Sequence, residues 1–271
     1  MNRIPITVTI AGSDSGGGAG IQADIKAMSA NGVYAATVIT ALTAQNTLGV
    51  TAIHDVPPGF VTAQIEAVFS DLAVDAVKIG MLSRVETIAA VAAGLRRFRP
   101  ANIVLDPVMV AASGDPLLDD DAIDSLVSEL FPLAALITPN LHEAARLTAT
   151  TLADSRQAMR GQAYALAEMT AGAVLLKGGH GTGDEATDLL VSREGEQWFV
   201  ARRVDTANTH GTGCSLSSAI AARLAAGVEL ARAVGEAKSW LTGAIAASDR
   251  LRVGAGRGPV HHFYELWEKL P

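Results

Sequence analysis

Short apolar, β-branched runs alternate along the chain with longer stretches of helical period. This alternation predicts an α/β fold, a mostly parallel central sheet with helices on both faces. The predicted strands are residues 4–11, 34–42, 76–79, 102–105, 136–137 and 173–177. Between them, Ile21, Ile25 and Met28 recur at i, i+4 and i+7, as do Val61, Ile65 and Val68, and each set predicts a helix with its stripe against the sheet. Later, residues 188–192 and 197–204 flank a polar turn at 193–196, which reads as a hairpin added to the parallel core. Two helices near 213–226 and 229–250 follow, the first striped by Leu216, Ile220 and Leu224. No composition shift marks a linker and no repeat appears, so residues 1–271 are expected to form one domain. In such a sheet ligands bind beyond the carboxyl ends of the strands, where helix N-termini and loops converge.

Composition narrows the function classes. A hydrophobic share of 49% and a charged share of 18% suit a sheet covered by helices. The net charge of −7, without any cluster of Lys and Arg, argues against nucleic acid as a partner. No window approaches the roughly 18 apolar residues of a membrane span. The start, MNRIPITVTIAGSD, lacks the longer apolar segment of an export signal. Cys214 is the one cysteine, which leaves neither an internal disulfide nor a multi-cysteine metal site, and a cytoplasmic location is expected.

The residues that follow the predicted strands carry the chemistry. Gly12-Ser13-Asp14-Ser15-Gly16-Gly17-Gly18-Ala19-Gly20 lets the backbone approach a ligand closely and leads into a helix with Asp24 in its first turn; the alternative is a flexible turn with a helix-start carboxylate. Thr43-Ala44-Gln45-Asn46-Thr47 offers an amide that both donates and accepts, suited to a heterocycle edge, or forms a solvated loop. Met81, after Lys78-Ile79-Gly80, places a thioether where it packs on a flat ring or fills core. Asp106 ends the next strand, and residues 111–119 beyond it have the Gly and Asp content of a flap. Asn140 and Glu143, three apart at a helix start, suit either a hydrated Mg²⁺ or a mutual cap. Lys177, before Gly178-Gly179-His180-Gly181, meets phosphate oxygens or stands at a surface turn.

The strongest local signal is Asn208-Thr209-His210-Gly211-Thr212-Gly213-Cys214, where small residues expose backbone N–H groups at the positive end of a helix. Cys214 falls in the first turn, where a helix N-terminus lowers a thiol pKa and would make it a base; its other reading is an inert small residue. The chain has no Walker A loop, GxGxxG, HExxH or GxSxG, and the pair His261-His262 has no carboxylate cluster beside it in the sequence, so zinc and hydrolase chemistry are not expected.

In order along nearly the whole chain stand AGSDSGGGAGIQADIK, VITALTAQNT, KIGML, LDPVM, SGDPLL, ITPNLHEA, LLKGGH, NTHGTGCSLSSAIAA and VGAGRGPVHHF. This set resembles the ribokinase-like family, and within it the pyrimidine kinases of thiamine biosynthesis. The resemblance implies transfer of the ATP γ-phosphoryl to 4-amino-5-hydroxymethyl-2-methylpyrimidine and then to its monophosphate, with ATP and Mg²⁺ as cofactors and a homodimer as the assembly. It implies that Gln45 reads the pyrimidine in a pocket lined by Gly12, Ala19, Asp24, Met81 and Val108. It also implies an anion hole at Gly211, Thr212 and Gly213, with Cys214 where many sugar kinases carry Asp. Lys177, Asp106, Asn140, Thr209 and His210 would surround the phosphates, and Asp106 and Glu143 would organise magnesium. Gly17 departs from the Ser often found in relatives. A pyridoxal or pyridoxine kinase on the same fold and a non-catalytic ligand sensor stand as alternatives.

Overall fold

The computed structural model describes residues 3–109, 120–179 and 183–267. Among these, nine strands form one sheet: β1 (Ile6–Asp14), β2 (Tyr34–Asn46), β3 (Gly49–Asp55), β4 (Ala76–Ile79), β5 (Ile103–Leu105), β6 (Leu136–Ile137), β7 (Ala173–Lys177), β8 (Glu185–Ser192) and β9 (Gly195–Arg202). Their order is β3-β2-β1-β4-β5-β6-β7-β8-β9. The six from β2 to β7 run parallel, while β3, β8 and β9 are antiparallel additions at the two edges. The chain winds outward from β1 in both directions, so the loop after β1 stands at the switch point where α/β sheets open a ligand crevice.

One face carries α1 (Gly20–Ala30), whose Ala27 joins the same cluster as Ala76, Val104, Leu136 and Leu175. The other face carries α2 (Pro58–Phe69), α3 (Val85–Phe98), α4 (Asp120–Glu129), α5 (Leu141–Leu147) and α6 (Arg156–Ala167), packed on Val8, Ile10, Val77, Ile79 and Leu105. Two further helices, α7 (Thr212–Ala225) and α8 (Leu230–Ala246), complete the α1 layer through Ile220, Leu224, Val234 and Trp240. A short α9 (Tyr264–Trp267) follows. Successive side chains of a strand point to opposite faces. Because Val77 and Ile79 face α2 and α3, Lys78 between them must face α1 and α7, and the same alternation sends Lys177 there next to Leu176.

Two differences from the sequence expectation bear on the site. The second strand does not stop at Leu42 but runs on to Asn46, and Gly49–Asp55 returns beside it through a two-residue turn, so Gln45 stands on a hairpin rather than in a solvated loop. On α1, Asp24 is wholly buried while Ile25 is only partly covered, so the helix presents a carboxylate to the sheet within its apolar face. The expected flap at 111–119 and His180-Gly181 lie outside the described residues.

Candidate active site

The carboxyl ends of the strands, the glycine-rich loop and the start of α7 enclose a cavity of about 940 Å³. Gly12, Ala19, Gln45, Met81, Val108 and His210 line it. Asp106, Asn140, Glu143, Lys177, Thr209, Gly211, Thr212, Gly213 and Cys214 line it as well. The sequence-predicted residues therefore converge, Asp24 excepted.

Backbone geometry explains the glycines. Gly211 caps α7 in the left-handed conformation, φ 77°, and a Cβ there would run into the carbonyl oxygen of Gly18. Gly12 faces Met81, whose methyl would lie 2.6 Å from an added Cβ. The turn that opens α7 is thus packed on the glycine loop at Gly18, and the end of β1 on Met81, with no room for a side chain at either glycine.

Cys214 is half-buried in the first turn of α7, and its sulfur accepts a hydrogen bond from the backbone of Gly20 at the start of α1. The lowered pKa expected of a thiol at a helix start is not found. Burial pushes the thiol up to about 11, outweighing the pull of Lys78, while Asp24 and Asp106 push the same way as burial. A single helix terminus is a partial charge, and it loses to desolvation here.

Asp24, expected in the pocket lining, stands behind it. The residue is 0% exposed, and its carboxylate accepts from Thr9 Oγ1 at 2.6 Å, Ser218 Oγ at 2.7 Å and Lys78 Nζ at 2.9 Å to each oxygen. Lys78 is equally buried, and proximity to Asp24 overcomes desolvation to hold its ammonium charged. Breaking such a pair by removing one partner typically destabilises by about 3–5 kcal/mol, because the other charge is left uncompensated.

A second buried pair lies beside Gly213 at the start of α7. Lys177 Nζ donates to Asp106 Oδ1 at 2.7 Å, and Thr138 Oγ1 donates to the same oxygen at 3.0 Å. Burial alone would raise the Asp106 carboxyl, but Lys177 and Lys78 hold it below the usual carboxylate range. Lys177 is therefore no surface lysine at a turn. Asn140 and Glu143 form a reciprocal cap: Asn140 Oδ1 accepts from the N–H groups of His142 and Glu143, and Glu143 Oε2 accepts from Asn140 N at 2.7 Å. Of the two readings of this pair, the hydrogen bonds form the mutual cap, and Asn140 Oδ1 is committed to the helix start. Glu143 is nevertheless short of positive charge. Burial raises its carboxyl to about 7 in spite of Lys177.

His210, expected among the phosphate ligands, lines the cavity as well, with its ring turned toward the glycine loop. Its Nε2 lies 2.9 Å from Asp14 Oδ2 and 3.4 Å from Gln45 Nε2. Asp14 also gathers the backbone N–H groups of Gly16, Gly18 and Ala19, and with His210 these hold its carboxyl low against the opposing effect of burial. Asp14 and Lys78 are the residues that sequence reasoning left without a role. An Asp opening a glycine run and a lone Lys inside a four-residue apolar strand were the available signals.

The carboxyl-terminal motif VGAGRGPVHHF binds these parts together. Gly256 N donates to Thr47 Oγ1 and Arg257 N to Thr47 O at the β2–β3 turn, while His210 N donates to Gly258 O. His262, buried against Trp240, places Nε2 2.8 Å from Ser215 Oγ, which itself donates to Gly211 O at 2.7 Å. No group of three or more metal-ligating side chains occurs among the described residues, and none of their helices is long and apolar enough to cross a membrane.

Comparison with known proteins places this geometry. The family described as phosphomethylpyrimidine kinase matches residues 14–261. A hydroxymethylpyrimidine/phosphomethylpyrimidine kinase of Rhizobium meliloti is 59% identical over 97% of this chain and 98% of its own. A phosphomethylpyrimidine kinase structure from Clostridium difficile, 43% identical, superposes with a TM-score of 0.79 over 90% of this chain and all of that one. A pyridoxal kinase from Bacillus subtilis, solved as an ADP complex and 33% identical, reaches a TM-score of 0.90 over 97% of this chain and 99% of that one. With most of its length matched by the family and a relative this similar end to end, the chain belongs to the phosphomethylpyrimidine kinases, phosphotransferases of the ribokinase-like fold.

Proposed function

We propose that the protein transfers the γ-phosphoryl of ATP to the hydroxymethyl oxygen of 4-amino-5-hydroxymethyl-2-methylpyrimidine, and then a second γ-phosphoryl to the resulting monophosphate. One observation carries this reading: the start of α7, with Cys214 and Gly211 to Gly213, opens into the same cavity as Gln45, Met81 and the glycine loop. A heterocycle held at Gln45 brings its hydroxymethyl arm toward Cys214. The γ-phosphoryl, held at the amides of α7 and by Lys177, lies in line with it.

In the first transfer the hydroxymethyl oxygen attacks the γ-phosphorus, the new O–P bond forms as the bridging P–O bond to the β-phosphate breaks, and ADP leaves. Phosphoryl transfer depends on alignment and charge stabilisation more than on covalent help. The proton of the hydroxyl passes to Cys214. Because that thiol is protonated near neutral pH, transfer is carried by the small thiolate fraction and grows as pH rises. In the second transfer the attacking oxygen belongs to a phosphate already ionised, so it needs no base.

The donor set fits magnesium. Mg²⁺ takes one or two carboxylates and keeps water and phosphate oxygens for the rest. Glu143, a buried carboxylate short of positive charge, and Asp106 would hold it, with Asn140 turning its amide N–H groups to the phosphates. When bound, the ion would neutralise phosphate charge.

The test is mass analysis of products after incubation with ATP, Mg²⁺ and the pyrimidine alcohol, with pyridoxal as a parallel substrate. Mono- and diphosphate products are expected from the pyrimidine; phosphorylation of pyridoxal alone would replace the reading, and ligand binding without ADP release would reduce the protein to a sensor. We also place the protein in the cytoplasm as a homodimer, with Leu42, Leu48 and Ile53 of the exposed β2–β3 hairpin covered by a second copy. Light scattering of the purified protein reads the dimer directly.

A further inference from the structure

Cys214 and Ser218 lie four residues apart on α7, so their side chains share one face, one turn apart. Ser218 Oγ donates to Asp24 Oδ1 at 2.7 Å, and Asp24 holds Lys78 through both carboxylate oxygens at 2.9 Å. Thr9 Oγ1 closes the cluster on the other side. All four of these side chains are buried, yet Lys78 reaches the wall of the cavity beside Cys214. Gly80 leaves the opening: an added Cβ there would lie 2.7 Å from Lys78 Nζ. The ammonium, directed by Asp24, therefore rests against the backbone of Gly80 at the cavity wall.

We propose that Lys78 is a positioning residue for the first phosphoryl transfer, its ammonium supporting Cys214 as proton acceptor while Asp24 and Ser218 fix where that charge stands. The charged groups around the sulfur are Lys78 from β4, Asp24 from α1, Asp106 beyond β5 and Lys177 from β7, and the Gly20 amide points at it from the start of α1. Of the charged groups, Lys78 acts most strongly on the sulfur. Truncating it therefore makes the thiolate harder to form, whereas neutralising Asp24 leaves the ammonium uncompensated and makes the thiolate easier to form. The inference rests on the reading of Cys214 as the proton acceptor.

Cys214 is the sole cysteine of the chain, so alkylation by iodoacetamide, followed by intact mass across a pH series, reports this thiol alone. Lys78→Met should move the alkylation midpoint upward by about one pH unit or more, and Asp24→Asn should move it downward, shifts in the range expected of a close charge. Lys78→Arg should restore it. The double variant Lys78→Met/Asp24→Asn, a neutral pair that keeps the fold if Lys78→Met alone does not, should lie above the unmodified protein. The pH profile of ADP release with the pyrimidine alcohol should move in parallel, while the profile with the monophosphate stays within about twofold. An alkylation midpoint unchanged in the folded double variant and in Asp24→Asn overturns the proposal. If the alkylation midpoints shift as stated but the unmodified protein releases no ADP, the reaction assignment fails and the electrostatic link stands.

Discussion

Gly211 rests on the carbonyl oxygen of Gly18, so the turn that opens α7 and the loop that follows β1 can hold their places only together. Gly211→Ala forces them apart and also places a side chain at a φ of 77°. Loss of a preorganised anion site of this kind lowers turnover by about 10²–10³-fold. Both transfers should suffer alike, since both develop charge at the same amides, and steady-state kinetics with the alcohol and with the monophosphate test this.

Cys214→Ala should separate the two reactions. Removing a general base lowers a rate by about 10²–10⁴-fold, and this loss is expected with the alcohol, with less than about tenfold loss for the monophosphate, whose attacking oxygen is already ionised. Equal losses in both assays would remove the base role.

The pH dependence of the first transfer follows from the direction of the thiol shift. A thiol pushed up to about 11 keeps its proton through neutral pH, so the unmodified protein should turn over the alcohol faster at pH 9 than at pH 7. Cys214→Asp exchanges it for a carboxylate that ionises lower, and its profile with the alcohol should lose the alkaline rise.

Glu143 supplies a test of the magnesium reading that needs no turnover. Its carboxyl is raised to about 7, so near pH 6.5 a large share is protonated, and a cation arriving beside it expels that proton. Calorimetry of Mg²⁺ with a non-hydrolysable ATP analogue, in two buffers of different ionisation enthalpy, should show proton release. Glu143→Gln should lower it, leaving only the protons that the nucleotide phosphate itself gives up.

His262 ties the fold to pH. Burial, with Lys26 and His261 adding to it, pushes its pKa down to about 3 from 6.5, so between those values the unfolded chain binds a proton that the native state does not. The stability from this group is complete above about pH 6.5 and falls as pH drops toward 3, with a slope of up to about 1.4 kcal/mol per unit. Urea midpoints measured from pH 7 to pH 5 should decline more steeply than in His262→Gln, and the difference between the two curves isolates this residue.

The sheet was legible because its strands are short runs of β-branched residues, and the site because glycines and single polar residues follow those runs. What escaped depends on pairing across distance. The strand β3 was invisible as a separate element because Gly49–Asp55 mixes exposed Thr, Ala and His with its apolar residues, and only its partner β2 makes it a strand. Asp24 read as a pocket residue because its partner Lys78 is 54 positions away, and nothing in either segment announces the other. The thiol of Cys214 was misjudged in the same way: a helix start is visible in sequence, whereas the burial that outweighs it is a property of the assembled layers. His210 shares a motif with the anion hole, yet its ring is claimed by Asp14, 196 positions earlier.

The segment from Gly256 to His262 joins Thr47, His210 and Ser215, and it is synthesised 209 residues after the threonine it fastens. The β2–β3 turn and the start of α7 are therefore stitched to each other by a length of backbone that belongs to neither. A cut or a frameshift within that stretch would free both rims of the cavity at once.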